Sequence, residues 1–129
     1  MDLRIALDTS RLVAMFRGDR ALAEDLARLD DVAVPIVVVG ELQAGAASSR
    51  RAGAHELLLR TFLNKPNVNV LQAGIETAEI YGRLFAQLRR AGTPIPTNDI
   101  WIAAQALEHN LPLMTSDQHF LRIPQLRTI

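Results

Sequence analysis

The feature that most constrains the fold is the alternation of short apolar segments with longer amphipathic ones. Strands are predicted at "LRIALD" (Leu3 to Asp8), "VNVLQ" and "LPLMT", and "LRTI" at the end of the sequence could add an edge strand. Neighbouring parallel strands need crossovers of the length that separates these segments. The sequence therefore predicts an α/β fold with a short parallel sheet of four to five strands, flanked by helices on both faces.

The segments between the strands carry apolar residues at helical spacing. The first predicted helix is closed by Gly18, the second is capped by Asp19 and runs through Leu29, and the third stops before Pro66. Two more are predicted from Ile75 to Arg90 and from Asn98 to His109. The apolar stripe of the helix from Ile75 to Arg90 includes Ile75 and Phe85. The stretch "VAVPIVVVGELQAGA" is ambiguous. Its three successive valines favour a strand, its Glu-Leu-Gln-Ala run favours a helix, and Pro35 separates the two halves.

Composition narrows the class of protein. A chain of 129 residues with 49% hydrophobic and 22% charged content fits one compact domain over residues 1–129. The longest apolar runs are shorter than a membrane span, and the N-terminal residues do not resemble a signal peptide, so we expect a cytoplasmic protein. Without cysteine, a metal ion must be held by oxygen ligands or by the three histidines. The formal net charge of zero gives no overall field that would attract nucleic acid.

Four acidic residues stand apart from the solvated helix faces. Asp8 ends the first strand, Glu41 lies within the apolar "VVVGELQAG", Asp99 opens a helix, and Asp117 follows the "LPLMT" strand. Ligands of parallel α/β folds bind beyond the carboxyl ends of the strands. We therefore expect the four carboxylates to converge at one rim of the sheet.

Each acid taken alone also has a structural interpretation. Asp8 can cap the helix that follows it, which contributes about 1 kcal/mol. Asp99 suits the positive end of a helix dipole, and Asp117 suits a turn. Glu41 is harder to explain in this way, because burying an unpaired carboxylate costs several kcal/mol.

The four acids together favour a metal site. Two carboxylates 4 Å apart repel each other by about 4 kcal/mol at an effective dielectric constant near 20, and four carboxylates form several such pairs. The repulsion is relieved either by protonation, with raised pKa values, or by a divalent cation. A site made of oxygen ligands suits Mg²⁺ or Mn²⁺.

Four short motifs contain these acids: "LDTS" at 7–10, "GEL" at 40–42, "TNDIWIAA" at 97–104 and "TSDQHF" at 115–120. In order and spacing they resemble the motifs of PIN-domain ribonucleases, specifically the VapC-type toxins of type II toxin-antitoxin systems. The resemblance spans essentially the whole chain and implies the PIN-like fold, in which Val38 to Ala47 is helical. It assigns metal binding and catalysis to Asp8, Glu41, Asp99 and Asp117, and supporting roles to Thr9, Ser10, Asn98 and Thr115.

The same resemblance implies a function. It predicts Mg²⁺- or Mn²⁺-dependent cleavage of RNA, a homodimer, and a cognate VapB-type antitoxin whose tail lies across the active site. Asp8 and Asp99 are the expected metal contacts, and Glu41 or Asp117 is expected to orient the attacking water. For His119 and Trp101 we favour structural roles. Candidate contacts to RNA phosphates are Arg11, Arg17, Arg50, Arg51, Arg89 and Arg90.

Two other classes of protein are compatible with part of the pattern. A phosphoaspartyl α/β protein would use Asp8 as acceptor, but Ser10 stands where haloacid-type enzymes need a second acid, and Lys65 precedes a strand, whereas receiver domains need a lysine after one. A non-catalytic interaction module could share the same fold. The intact set of four acids favours the nuclease.

Overall fold

A computed structural model describes residues 3–129. The strands are β1 (Arg4–Leu7), β2 (Asp31–Pro35), β3 (Val68–Leu71) and β4 (Leu113–Met114), and they form one parallel sheet in the order β3-β2-β1-β4. The helices are α1 (Thr9–Phe16), α2 (Arg20–Ala27), α3 (Ile36–Ala47), α4 (Ala52–Leu63), α5 (Ile75–Arg90) and α6 (Thr97–Glu108), followed by a 3₁₀ helix over Gln118–Arg122. Within residues 3–129, no helix has the length and apolar character needed to cross a bilayer.

The parallel α/β prediction is confirmed, with two local corrections. The expected edge strand "LRTI" is reduced to a single bridge between Leu113 and Thr128. The valines after Pro35 are helical rather than extended, as the family resemblance implied. Strand β2 ends at Pro35, and α3 begins at the next residue. Proline lacks an N–H group, so it leaves no donor unpaired where a helix starts.

The core lies on both faces of the sheet and is richest around β1 and α6. Leu7 and Leu113 on adjacent strands are fully buried, as are Ile102, Ala103 and Ala104 of α6. In α5, Leu84 and Leu88 are buried, whereas Ile75 at the start of the predicted stripe is 78% exposed and Phe85 is 40% exposed. Helical spacing thus identified the helix but overestimated its buried face.

The strand order determines where a ligand can bind. From β1 the chain adds β2 and then β3 on one side of the sheet, and it returns to place β4 on the other side of β1. The order therefore reverses between β1 and β4, and in folds of this kind ligands bind at such a point, beyond the carboxyl ends of the two strands. Asp8 follows β1, and Thr115 follows β4 at the same edge.

Candidate active site

Asp8 is the most buried of the four acids, with 4% of its surface exposed. It occupies the position before α1, but its side chain makes no capping hydrogen bond, so the capping interpretation is wrong for this residue. The contrast is Asp19, whose carboxylate does cap α2 by accepting from Leu22 N at 3.0 Å. The Asp8 carboxylate is turned to other partners.

Those partners are two hydroxyl groups. Thr115 Oγ1 donates to Asp8 Oδ2 at 2.7 Å, and Ser10 Oγ donates to the same oxygen at 2.9 Å. Each hydroxyl also accepts from a backbone N–H group: Asp117 N lies 3.0 Å from Thr115 Oγ1, and Ser116 N lies 3.2 Å from Ser10 Oγ. Because both hydroxyls donate to Oδ2, the orientation of the carboxylate is set while Oδ1 is left for a further ligand.

Asp99 and Asp117 meet at the imidazole ring of His119. Asp99 lies in the first turn of α6, and Asp117 immediately precedes the 3₁₀ helix. His119 Nδ1 is 3.0 Å from Asp99 Oδ2 and 3.3 Å from Asp117 Oδ1. Asp117 Oδ1 also accepts from His119 N at 2.9 Å, which is the turn that the sequence suggested for this residue.

The pKa of Asp99 responds to the charges of two other acids. Burial raises the pKa of Asp99, the hydrogen bond from His119 lowers it, and the negative charges of Asp117 and Asp8 raise it again, with a net upward shift. Asp8, Asp99 and Asp117 therefore form one group, which we call the acid cluster. Among residues 3–129, no ion pair joins an arginine or lysine to any of them.

Glu41 lies next to the acid cluster but has different surroundings. Its Oε1 accepts from Thr9 Oγ1 at 2.8 Å, and Thr9 is the neighbour of Asp8 in the sequence. The side chain lines a cleft of about 250 Å³ whose walls include Val13, Leu42 and Leu59. Glu41 is also not among the charges that shift the pKa of Asp99.

Some of the remaining residues named in the sequence analysis lie near the acid cluster, and others lie far from it. Asn98 is exposed in the first turn of α6. Trp101 stacks on Tyr81, with ring centroids 4.1 Å apart, in agreement with its predicted packing role. Of the candidate RNA-binding arginines, Arg11 lies in the first turn of α1, three residues after Asp8, and Arg17 lines the cleft with Glu41. Arg50 and Arg51 lie between α3 and α4, and Arg89 and Arg90 end α5.

The donor atoms of the site suit a divalent cation. Asp99, Asp117 and His119 each offer one ligand atom, and these three atoms lie within 4.8 Å of one another. Burial is the main cause of the raised pKa of Asp99, and the negative charges of Asp117 and Asp8 add to it. The structural role predicted for His119 is compatible with its contacts to Asp99 and Asp117. The spacing in "DQHF" places the ring beside Asp117 because the segment forms a tight turn.

A parallel sheet with acidic residues grouped at its reversal point is an arrangement typical of α/β hydrolytic enzymes. Comparison with known proteins agrees with this class. Residues 5–126 match the PIN domain family. The chain is 32% identical over 114 residues to ribonuclease VapC5 of Mycobacterium tuberculosis, an alignment that covers 88% of this chain and 83% of that protein.

Solved structures give the same result. The chain superposes with a TM-score of 0.89 and 26% identity, over 98% of both chains, on a structure of VapBC2 from Rickettsia felis bound to a DNA fragment from its promoter. It superposes with a TM-score of 0.87 and 27% identity on VapBC-1 from nontypeable Haemophilus influenzae, covering 98% of this chain and 97% of that one. The protein belongs to the PIN domain family, in its VapC branch.

Proposed function

We propose that this protein is the toxin of a toxin-antitoxin pair and acts as a metal-dependent endoribonuclease. The observation that carries the proposal is the acid cluster, in which three carboxylates from separate segments lie near one another and none is paired with an arginine or lysine of residues 3–129. Its relatives include proteins named ribonuclease VapC, and its structural neighbours are VapBC assemblies. RNA is therefore the proposed substrate, and hydrolysis would leave a 5′-phosphate and a 3′-hydroxyl.

The residues fit a divalent cation, for which we propose Mg²⁺ or Mn²⁺. Asp8 and Asp99 are the proposed principal ligands, with Asp117 beside them. When bound, such an ion lowers the pKa of water and neutralises charge on a phosphate group. Thr115 and Ser10 hold the Asp8 carboxylate through Oδ2, and this presets the position of Oδ1 before any ligand arrives.

Glu41 is proposed to orient the attacking water. Its Oε1 is held by the hydroxyl of Thr9, which leaves Oε2 to accept a hydrogen bond from water. The negative charges of the acid cluster would repel the phosphate groups of RNA, so positively charged side chains must offset that repulsion. Arg11 and Arg17 are the best placed of the candidate phosphate contacts, because Arg11 shares α1 with Thr9 and Arg17 shares the cleft with Glu41.

An antitoxin of the VapB type is the proposed protein partner, since the structural neighbours are toxin-antitoxin complexes. A second cleft, of about 570 Å³, lies between α1 and α4; we call it the α1–α4 cleft, and its walls include Met15, Phe16, Leu57, Leu58 and Phe62. Leu57 is 61% exposed and Leu58 is 43% exposed. Phe16 also lines the cleft that reaches Glu41. An apolar segment of the antitoxin bound here could continue toward the active site, where its tail would block RNA.

We also propose the extent of the domain, its location and its oligomeric state. Residues 1–129 would form a single nuclease domain that works in the cytoplasm, where its RNA substrate is found. A homodimer is also proposed, as the family resemblance implies. Sedimentation velocity of the isolated protein tests the dimer.

The deciding experiment is an RNA cleavage assay with end-group analysis. Purified protein is incubated with structured RNAs in Mn²⁺, in Mg²⁺ and in EDTA, and each product is tested for a 5′-phosphate by ligation. We expect cleavage only with a divalent ion, and inhibition by the antitoxin encoded beside the gene. Cleavage that persists in EDTA, or products with 2′,3′-cyclic phosphate ends, would refute the mechanism.

The phosphoaspartyl alternative receives no support from the geometry. Lys65 lies on the turn before β3, which is the edge of the sheet opposite the carboxyl ends of the strands. It lines the α1–α4 cleft rather than the crevice beside Asp8. Trapping of an acyl phosphate on Asp8 would reinstate this alternative.

A further inference from the structure

His119 is a member of the site to which neither the sequence nor the proposed mechanism assigns a chemical role. Its Nδ1 atom lies between two carboxylates that come from different segments, at 3.0 Å from Asp99 Oδ2 and 3.3 Å from Asp117 Oδ1. The side chain is 41% exposed, so solvent and ions reach it. Within the described part of the chain, these three residues form the one group of histidine and acidic side chains close enough to share an ion.

The distances are those of atoms that bind one ion. Two ligand atoms on an octahedral ion with bonds of about 2.1 Å lie about 3.0 Å apart when adjacent and about 4.2 Å apart when opposite. The three candidate ligand atoms all lie within 4.8 Å of one another. Small movements of the side chains would bring these atoms around a shared cation. His119 would then be the neutral tautomer with its proton on Nε2, so that Nδ1 offers its lone pair to the ion instead of donating to Asp99.

A second observation comes from Asp8, which is more than nine-tenths buried. Both of its hydroxyl partners donate to Oδ2, and its charge is felt by Asp99. Oδ1 takes no hydrogen bond from either hydroxyl and is therefore available to a further ligand. Asp8 thus adds a third negative charge beside the ion site, although it lies outside the group of three whose ligand atoms are within 4.8 Å of one another.

We propose that His119 Nδ1 is a ligand of the divalent cation, together with Asp99 and Asp117, and that this nitrogen makes the site prefer a first-row transition-metal ion over Mg²⁺. The inference rests on the proposed function, because it assumes a bound cation. Mg²⁺ takes oxygen ligands and keeps its waters, whereas imidazole is a good ligand for transition metals. Replacing the imidazole of His119 with an oxygen-containing or amide side chain should therefore reduce the preference for a transition-metal ion over Mg²⁺.

The test uses Mn²⁺ alone as the probe. Pulsed electron paramagnetic resonance of the Mn²⁺-loaded wild-type protein should show coupling to a directly bound ¹⁴N nucleus, and His119→Gln should remove that coupling. Calorimetric titration should show at least about a tenfold loss of Mn²⁺ affinity in His119→Gln, with Mg²⁺ affinity changed much less. The matched control is His109→Gln, because His109 follows α6 at the opposite edge of the sheet and contacts Glu108 instead.

The wild-type spectrum decides the question even if a variant fails to fold. Bound Mn²⁺ without ¹⁴N coupling would overturn the inference and leave His119 as a hydrogen-bonding residue that positions two carboxylates. An equal loss of Mn²⁺ and Mg²⁺ affinity in His119→Gln would also count against it. Cleavage of RNA with Mn²⁺ would then still support the proposed function. If the wild-type protein neither bound Mn²⁺ nor cleaved RNA, the inference and the proposed function would both fail.

Discussion

The acid cluster and Glu41 lie side by side, but they are built differently. Asp8, Asp99 and Asp117 lie where the strand order reverses, and they meet through hydroxyl groups and an imidazole ring. Glu41 lies on α3, is held by a single hydroxyl, and lines a largely apolar cleft. The cluster has the charge density to bind a cation. Glu41 has the position to act on a water molecule or to meet the antitoxin.

The largest effect is expected from the acid cluster. Asp99→Asn should reduce RNA cleavage at least about a thousandfold, because it removes a charge that would hold the cation opposite the reacting phosphate. Stability in EDTA should be unchanged or higher, because the repulsion from Asp117 and Asp8 is relieved. The measurements are single-turnover cleavage and urea denaturation.

The matched control for this substitution is Asp25→Asn, since Asp25 is exposed and pairs only loosely with Arg28 at 3.9 Å. It should leave cleavage and stability close to those of the wild type. A loss of several kcal/mol in Asp99→Asn would show that Asp99 is mainly a structural residue of α6, and the cluster would lose its proposed role.

A smaller effect is expected at Glu41. Glu41→Gln should slow cleavage about a hundredfold, in the range of a lost proton acceptor, while Mn²⁺ affinity measured by calorimetry stays near the wild-type value. Thr9→Val removes the hydroxyl that holds Glu41 and should have the same effect in weaker form. Complete loss of Mn²⁺ binding in Glu41→Gln would remove the distinction between the two regions.

Thr115→Val tests how the cluster is held. The substitution keeps the shape of the side chain but removes the donor to Asp8 and the acceptor for Asp117 N. Mn²⁺ affinity should fall by about tenfold, as for other residues that orient ligands. The control is Thr61→Val, on the exposed side of α4. An unchanged affinity would mean that Asp8 keeps its orientation without the hydroxyl.

The Glu41 side of the molecule can be tested through the antitoxin. Leu57→Glu combined with Leu58→Glu should weaken antitoxin binding at least about tenfold, or 1.4 kcal/mol, because both leucines lie exposed on the α1–α4 cleft. RNA cleavage by the free toxin should be unchanged. Ile75→Glu serves as the control, since Ile75 is as exposed but lies on α5. Equal weakening in the control would place the antitoxin elsewhere.

The smallest effect is the pH dependence of stability. The pKa of Asp99 is raised above its ordinary value of 3.8, so the folded protein retains this proton to higher pH than the unfolded chain does. Folding stability in EDTA should therefore fall as pH rises from the ordinary pKa through the raised one. Asp99→Asn should lack this fall, so the difference in stability between the variant and the wild type grows with pH. Urea denaturation at several pH values measures it, and parallel curves would contradict the assignment.

Much of this arrangement was predictable from the sequence. The strand that ends at Asp8, the helix Ile75–Arg90 and the cap at Asp19 follow from local patterns, because each depends on neighbours within a few residues. The helix after Pro35 did not follow from its residues, since valine prefers strands and only burial within the fold overrides that preference. The family resemblance supplied this information.

The sequence by itself determined most of the helices and strands and identified the four acidic residues that stand apart from the solvated helix faces. Only the tertiary structure decided which carboxylates lie close enough for their charges to interact. It also decided that the Asp8 carboxylate accepts a hydrogen bond from Thr115 instead of capping a helix, and that His119 contacts Asp99. The physical reason is distance along the chain: a cap or a turn is a local interaction that spacing reveals. A contact between residues 8 and 115 exists because β1 and β4 lie side by side, and the strand order that makes them neighbours is a property of the packed sheet.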